Sequence, residues 1–394
     1  MFITQAYKGL YEFWRYIIGT LITFIMWQLV GAIPLAIVLL VKVFQSASGS
    51  GMSFPEVLES DLMPTSVDGM VTLLGGNLFL FMMIVSFAFG LLGILFSNKV
   101  LHKLSFLSLT TSRSKIDWKR IFVGFTIVIV FNLATFAVGY FLAPDALEWN
   151  FNLQPFLILL VICLLFLPIQ TSFEEYLFRG YLMQGIGVNL KENKFIPLLI
   201  IALSVGPVVY FILHANLQLE FWTNLGTTGL VMLVLVIILD QKSKTNPTIL
   251  HRKWVPLLFT SVIFGVLHAA NPEVEKLGYI SMVYYIGTGL ILGIMTLMDD
   301  GMELALGYHA GNNILTALLV TTDWSALQTD AVFVDTSEPS TGFFDIIFPV
   351  LIIYPIMLLI LAKIYKWKNW KEKLFGIVSD KTHELDEMQA TSEA

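Results

Sequence analysis

Long apolar runs recur from one end of the chain to the other, and they constrain the fold more than any other feature. A predominantly apolar stretch of roughly 18 or more residues can cross the hydrocarbon core of a bilayer as a helix. Apolar residues make up 56% of the 394 residues and charged residues only 13%, against roughly 25% charged residues in a soluble domain. The sequence therefore predicts an all-α fold, a polytopic transmembrane helical bundle, and excludes a soluble globular domain.

The apolar runs predict about ten membrane spans. The first run is too long for the core of a signal peptide, so we expect it to be retained. The predicted spans are residues 17–41, 73–96, 121–143, 155–186, 196–214, 224–240, 255–270, 279–298, 302–321 and 344–365. We expect three parts: residues 1–154 with the N-terminal spans, residues 155–321, and residues 322–394. The third part holds an outer loop, the last span and an acidic tail.

The basic residues predict how the chain crosses the membrane, because short cytoplasmic loops are enriched in Lys and Arg. With the N-terminus inside, all but three of the 23 Lys and Arg residues fall in inner segments. Both termini are therefore predicted to be cytoplasmic. The net charge of −6 makes nucleic acid an unexpected partner and leaves the lipid bilayer as the expected one.

Polar and cysteine patterns complete the outline of the chain. Residues 46–71 and 323–342 are rich in Ser, Thr, Gly and Pro, which predicts solvated loops, and the tail after Gly376 is predicted to be disordered. The single cysteine, Cys163, lies in an apolar run and excludes both an intramolecular disulfide and a multi-cysteine metal site.

Three motifs place ionisable or polar residues inside the predicted spans. A charge at the bilayer centre costs about 2.5–3.5 kcal/mol on insertion scales, so intramembrane ionisable residues indicate function by default. The motifs are Glu174-Glu175-x-x-x-Arg179, Phe264-x-x-x-His268 and His309-x-x-x-Asn313. Residues four apart share one face of a helix, so Glu175 with Arg179, Phe264 with His268, and His309 with Asn313 each lie on the same side of their helix.

The two adjacent glutamates cannot serve one site in the same way, because successive helical residues point about 100° apart. Glu175 lies four residues before Arg179, the favourable order for a helical ion pair. We expect Glu175 and Arg179 to form a neutralising structural pair, which leaves Glu174 free to face a wet cavity as a base or a ligand. An alternative, in which all three residues only hold helices together, stays open.

Depth along the helices indicates which histidines can meet. At 1.5 Å rise per residue, His268, His309 and Glu174 fall in the middle or inner half of the bilayer. His214 falls close to the outer interface, so we expect it to lie outside the site. Two pairs of glycines four apart, Gly289 with Gly293 and Gly307 with Gly311, predict close helix contacts near the histidines.

In this order, the three motifs resemble the CAAX prenyl protease and bacteriocin-processing (Abi) family of intramembrane proteases, also called the CPBP family. The strings EEYLFRGYLMQ, FGVLHAANPE and GYHAGNN extend the resemblance, which covers residues 155–321. The connection of 92 residues between Glu175 and His268 is longer than is usual in the family. The excess holds two predicted spans within residues 196–254, and an even number of inserted crossings keeps the orientation of the helix that carries His268.

The resemblance implies an active site with supporting neighbours. Its catalytic residues are Glu174, His268, His309 and Asn313, and its supporting residues are Glu175, Arg179 and Phe264. The implied reaction is hydrolysis of a peptide bond: Glu174 with His268 activates water, and His309 and Asn313 stabilise the oxyanion. A zinc version, with Glu174, His268 and His309 as ligands, stays open, so the expected cofactor is either none or zinc. The HExxH and GxSxG strings of other hydrolases are absent.

The resemblance also implies a membrane-associated peptide or protein as substrate and a bacterial cytoplasmic membrane as location. Two other functions stay open. One is a catalytically inert scaffold or immunity protein of the same fold. The other is a proton-coupled transporter, which typically has inverted repeats, whereas the ionisable set here lies wholly after residue 170.

Overall fold

The computed structural model describes residues 1–48, 51–191 and 195–381, and these are mostly helical. The α-helices are α1 (Phe13–Phe24), α2 (Ile33–Ser46), α3 (Phe54–Glu59), α4 (Val67–Leu74), α5 (Gly76–Val100), α6 (Phe106–Thr110), α7 (Trp118–Leu142), α8 (Leu153–Leu165), α9 (Leu167–Glu175), α10 (Met183–Asn189), α11 (Phe195–Leu217), α12 (Phe221–Thr245), α13 (Trp254–Leu267), α14 (Pro272–Leu277), α15 (Met282–Asp299), α16 (Glu303–Leu319), α17 (Tyr354–Tyr365) and α18 (Trp370–Phe375). Segments Ile25–Val30, Tyr176–Leu182, Phe343–Ile347 and Pro349–Ile353 are π-helical. Segments Ile3–Lys8, Pro144–Ala146, Pro247–Leu250 and Tyr279–Ser281 are 3₁₀-helical.

A small sheet, which the sequence did not predict, joins two loops at one end of the bundle. Its strands are β1 (Leu147–Trp149), β2 (Val320–Thr321) and β3 (Phe333–Asp335). β3 lies in the middle, antiparallel to β1 and parallel to β2. The strand β2 follows α16 directly, so the sheet fixes the end of the helix that carries the third motif.

The multi-pass membrane fold is confirmed, with a difference in the number of full-length spans. Eight stretches of the described residues are long and apolar enough to cross a membrane, whereas the sequence predicted about ten. The two that fall short are α13, with 14 residues, and α16, with 17 residues. Both are enclosed by neighbouring helices and carry the second and third motifs, so the sequence overestimated the length of the helices that hold the predicted site.

The predicted span over residues 155–186 is confirmed as one candidate span, Leu153–Asn189, although its helix is interrupted at Phe166. Helix α8 ends before Phe166, and Pro168 lies in the first turn of α9, where the missing N–H of proline interrupts the ladder of a continuing helix. After Glu175 the backbone is π-helical over Tyr176–Leu182. Single-turn π segments inside α-helices often lie at functional sites, and this one carries Arg179.

Glycines allow the helices around the predicted site to approach closely, as the sequence predicted. A Cβ atom at Gly307 would lie 1.8 Å from the carbonyl oxygen of Ile121 in α7, and one at Gly289 would lie 2.7 Å from the carbonyl oxygen of Ser261 in α13. Neither carbonyl can yield without moving its helix. The backbones of α7 with α16 and of α13 with α15 therefore pack in direct contact.

Buried charges hold the turn between α15 and α16. Asp299 and Glu303 are both buried. Arg113, just before α7, donates to the Asp299 carboxylate at 2.9 Å and to the Glu303 carboxylate at 3.0 Å, and Arg120 also pairs with Asp299. The two arginines thus fix the point at which the helix of the third motif begins.

Segments predicted as loops or tail contain more structure than expected. Helices α3 and α4 lie within residues 46–71 or overlap their end, and β3 lies within residues 323–342. Residues 377–381 pack on the bundle: Val378 is 2% exposed, and Ile377 pairs with Arg252 in a β-bridge. The prediction of a disordered tail after Gly376 is therefore wrong for these residues, and its remaining part, residues 382–394, lies outside the described residues.

Lys253 anchors the C-terminal segment to the start of α13. Its ammonium group donates to the backbone carbonyl of Glu372 at 2.9 Å and lies 3.4 Å from that residue's carboxylate. Burial lowers the pKa of Lys253 below its usual value, while the nearby Glu372 carboxylate opposes that shift. The last described residues therefore form part of the packed structure.

We expect Gly307→Ala to destabilise the protein, because the new methyl group would overlap the carbonyl oxygen of Ile121. Overpacking of this kind lowers the free energy of unfolding by about 1–3 kcal/mol. Gly139→Ala is the matched control, since a Cβ atom there has no neighbour within 4 Å. Thermal unfolding of the detergent-solubilised protein measures both effects, and equal midpoints for the two variants would contradict the tight crossing of α7 and α16.

Candidate active site

A buried carboxylate joins the first and third motifs. Glu175 accepts a hydrogen bond from the Arg179 guanidinium at 3.0 Å, so the predicted ion pair is present. The same oxygen of Glu175, Oε1, lies 2.8 Å from Nδ1 of His309. Glu175 and Arg179 are fully buried. The sequence had assigned Glu175 to Arg179 alone, and the structure adds His309 as a second partner.

Arg179 connects this carboxylate to two further helices. Its second terminal nitrogen donates to the backbone carbonyl of Gly289 in α15 at 3.0 Å. The guanidinium also lies over the Phe264 ring of α13, 4.6 Å from the ring centre, a distance at which a cation and an aromatic face attract each other. Phe264, predicted as a supporting residue, thus contacts the cation at the centre of the bundle.

Glu174 faces the cavity with one oxygen held and the other without a hydrogen-bond partner. Gln170, one helical turn earlier on α9, donates to Oε1 of Glu174 at 2.8 Å. The other oxygen, Oε2, is buried and has no hydrogen-bond partner in the structure. It lies 3.6 Å from Nε2 of His309. A carboxylate with a free buried oxygen beside an imidazole has the arrangement that a general base needs.

His268 lies at the end of α13 and is held by its own helix and by an aromatic neighbour. Its Nδ1 atom lies 2.7 Å from the carbonyl oxygen of Phe264, so the ring nitrogen that donates there is Nδ1 and the other nitrogen, Nε2, is left as an acceptor in the neutral ring. The ring stacks on Tyr285 at a centroid distance of 4.4 Å. His268 makes no ion-pair contact with Glu174, which lies nearer to His309.

All four predicted catalytic residues line one cavity of about 250 Å³. Glu174 reaches it from α9, His268 from the end of α13, and His309 and Asn313 from α16. The structure therefore brings together the groups that the three motifs singled out. His214 does not line this cavity. It stacks on Tyr210 and lines a neighbouring pocket, so it lies outside the cavity that holds the other two histidines.

Whether these residues can hold a metal ion depends on their chemical types and on their positions. The donor types suit zinc, since imidazole and carboxylate are common zinc ligands. In residues 1–48, 51–191 and 195–381, however, no three His, Cys, Asp or Glu side chains are placed so that they can hold a metal ion. The arrangement of Glu174, His268 and His309 as it stands does not form a zinc site.

Several cavity residues were missed by the sequence reasoning. Gln170 was detectable, because it precedes Glu174 by four residues and thus shares its helix face. Glu273 and Tyr285 belong to no sequence motif. Tyr285 donates to the Glu273 carboxylate at 2.5 Å, and the backbone N–H of Ala326 donates to the same group at 3.0 Å. That cluster closes one wall of the cavity, and only the folded structure brings its three parts together.

Comparisons with known proteins agree with the motifs. A family model described as "Type II CAAX prenyl endopeptidase Rce1-like" matches residues 243–315. This range contains the second and third motifs, and it begins after the first motif. An uncharacterised protein of Bacillus subtilis strain 168, YyaK, is 25% identical over 238 residues, which cover 60% of this chain and 60% of that relative. No solved structure matches the chain significantly. The family resemblance predicted from the motifs is confirmed by these matches.

We expect Arg179→Met to destabilise the protein strongly, because it leaves the Glu175 carboxylate buried without its cation. Breaking a buried ion pair by removing one partner lowers the free energy of unfolding by about 3–5 kcal/mol. Lys244→Met is the matched control: Lys244 forms an i,i+4 pair with Asp240 but is 57% exposed, and exposed pairs contribute about 0–1 kcal/mol. Thermal unfolding in detergent compares the two, and a similar small shift for both would contradict a structural role for Arg179.

Proposed function

We propose, from the match of residues 243–315 to the Rce1-like family of type II CAAX prenyl endopeptidases, that this protein is an intramembrane endopeptidase. It hydrolyses a peptide bond of a membrane-associated protein or peptide. The family match supports an intramembrane CAAX-type protease. The observation that carries the proposal is the convergence of Glu174, His268, His309 and Asn313 on one cavity from three separate parts of the chain.

In this mechanism Glu174 is the general base. Its free oxygen accepts a proton from the attacking water while the water oxygen bonds to the scissile carbonyl carbon. Nε2 of His268 is an acceptor when Nδ1 donates to Phe264, so His268 can take a hydrogen bond from the same water and orient it. The proton on Glu174 then passes to the leaving amine nitrogen as the C–N bond breaks.

The negative charge that develops on the carbonyl oxygen needs donors. Asn313 has an amide N–H₂ group at the cavity, one hydrogen of which is directed at Gln170, and an amide nitrogen has two. His309, when doubly protonated, donates Nδ1–H to Glu175 and has Nε2–H for the oxyanion or for Glu174. Donors fixed in a water-poor cavity stabilise such a charge far more than donors in water do.

The substrate and setting follow from the same features. A cavity of about 250 Å³ within a multi-pass helical bundle suits a peptide that reaches it from the bilayer. We propose a membrane-associated peptide or protein as substrate and no nucleic acid, with both termini on the cytoplasmic side of a bacterial membrane.

We expect Glu174→Gln to reduce peptide cleavage by roughly 10²–10⁴-fold without unfolding the protein, because the amide cannot accept the proton of water. We expect Asn313→Ala to reduce kcat by about 10²–10³-fold, the cost of one lost oxyanion donor. Cleavage of a library of fluorogenic membrane-associated peptides by the purified protein in liposomes measures both.

Glu148→Gln is the matched control, since Glu148 is exposed on strand β1 and does not line the cavity. It should cleave at the rate of the wild type. Wild-type rates for Glu174→Gln would overturn the endopeptidase proposal and favour an inert scaffold, and a proton flux that depends on Glu174 without cleavage would favour a transporter.

We expect cleavage to persist after treatment with a strong zinc chelator, because Glu174, His268 and His309 are not placed to hold a metal ion together. The measurement compares initial rates before and after chelation, with a zinc metalloprotease as the control that must lose activity. Loss of cleavage by the chelator and its return on adding zinc would contradict the metal-free mechanism.

A further inference from the structure

Four side-chain amides form a continuous hydrogen-bonded chain that ends on the proposed base. Asn132 of α7 donates to Asn312 at 3.0 Å, Asn312 donates to Asn313 at 3.2 Å, and Asn313 donates to Gln170 at 3.4 Å. Gln170 then donates to Glu174 at 2.8 Å. The chain links α7, α16 and α9, and all of its members except Asn132 line the cavity.

The carboxylate fixes the direction of every amide in this chain. An ionised carboxylate only accepts hydrogen bonds, so the side of Gln170 that faces Glu174 must be its N–H₂ group. The oxygen of Gln170 therefore faces Asn313, which must present its own N–H₂ group. By the same step the oxygen of Asn313 faces Asn312, and reversal of any one amide would set two oxygens against each other.

We propose that Gln170 is a positioning residue that aligns the general base and the oxyanion donor at once. This inference deepens the proposed function and rests on it. Gln170 holds one oxygen of Glu174, so that the other stays free for water. Through its own oxygen it orients the amide of Asn313, so that the second hydrogen of that amide is available to the carbonyl oxygen of the substrate.

The geometry explains why one residue is suited to both tasks. Gln170 lies one turn before Glu174 on α9, and its side chain spans from there to α16. A side chain with only a donor would hold the base and leave the N–H₂ group of Asn313 without its acceptor, so that Asn312 alone would orient this amide. A side chain with only an acceptor would repel the carboxylate. Glutamine has both functions on one planar group, which keeps donor and acceptor in a fixed relation.

The test compares the steady-state kinetics of the full-length protein in liposomes for the wild type, Gln170→Met and Gln170→Glu. Methionine keeps the length of the side chain without its hydrogen bonds. We expect Gln170→Met to lower kcat by roughly 10- to 100-fold and to change KM by less than about 3-fold, because an alignment that matters in the transition state is lost while substrate binding is kept. Gln170→Glu keeps the shape of the side chain and serves as the test if the methionine variant does not fold. We expect it to lower kcat at least as far, because the new carboxyl group would share one proton with Glu174.

The matched control is Gln184→Met. Gln184 is a buried glutamine of α10 that donates to the backbone carbonyl of Ser108 at 3.0 Å and does not line the cavity. The Gln184→Met variant loses a comparable buried hydrogen bond, so we expect it to be less stable than the wild type with an unchanged kcat. A fall in kcat for Gln170→Met alone supports the positioning role, because a merely structural effect would appear in both variants.

Two results would overturn the inference while the endopeptidase proposal stands: wild-type kcat in both Gln170 variants, or a rise in KM with unchanged kcat, which would make Gln170 a substrate contact. In either case Glu174→Gln still shows the large loss of cleavage expected for the general base. Cleavage by Glu174→Gln at the wild-type rate is the distinct outcome that overturns the proposed function itself.

Discussion

The arrangement of the site depends on one carboxylate, that of Glu175, buried in the middle of the helical bundle. Burying an ion costs several kcal/mol unless partners of good geometry replace the water it loses. Glu175 has two such partners, the guanidinium of Arg179 and the imidazole of His309, both at its Oε1 oxygen, whereas its Oε2 oxygen is buried without a hydrogen-bond partner. Because Arg179 also binds the Gly289 carbonyl, this ion ties the first motif to α15 and α16 together.

The position of Glu174 depends on that of Glu175. Adjacent residues on a helix point about 100° apart, so fixing Glu175 toward the centre of the bundle turns Glu174 toward the cavity. The two glutamates therefore have different surroundings: Glu175 holds the helices together, and Glu174 faces the cavity. The π-helical segment that follows places Arg179 beneath Phe264, whose ring lies close to both His268 and His309.

The spacing of residues predicted much of this site, because four-residue spacing on a helix fixes which side chains share a face. It predicted the pair of Glu175 with Arg179, and the same rule extends to Gln170, while depth along the helices predicted that His214 lies away from the cavity. Contacts between helices were not predictable from spacing. The hydrogen bond between Glu175 and His309 joins residues 134 positions apart. The cavity wall formed by Glu273 and Ala326 depends on the path of the loop after β2, which no local sequence pattern predicts. Hydropathy likewise overestimated α13 and α16, because a helix enclosed by protein does not need the full apolar length of a lipid-facing span.

The central claim is that Glu174, as the general base, and His309, as an oxyanion donor, act together in one hydrolytic step, and a double-mutant cycle tests it most directly. The measurement is kcat/KM under single-turnover conditions for Glu174→Gln, His309→Gln and the double variant. Residues that act as a unit are strongly non-additive, so we expect the double variant to be no slower than the slower single variant. Multiplied losses in the double variant would show that the two side chains act independently and would contradict this account.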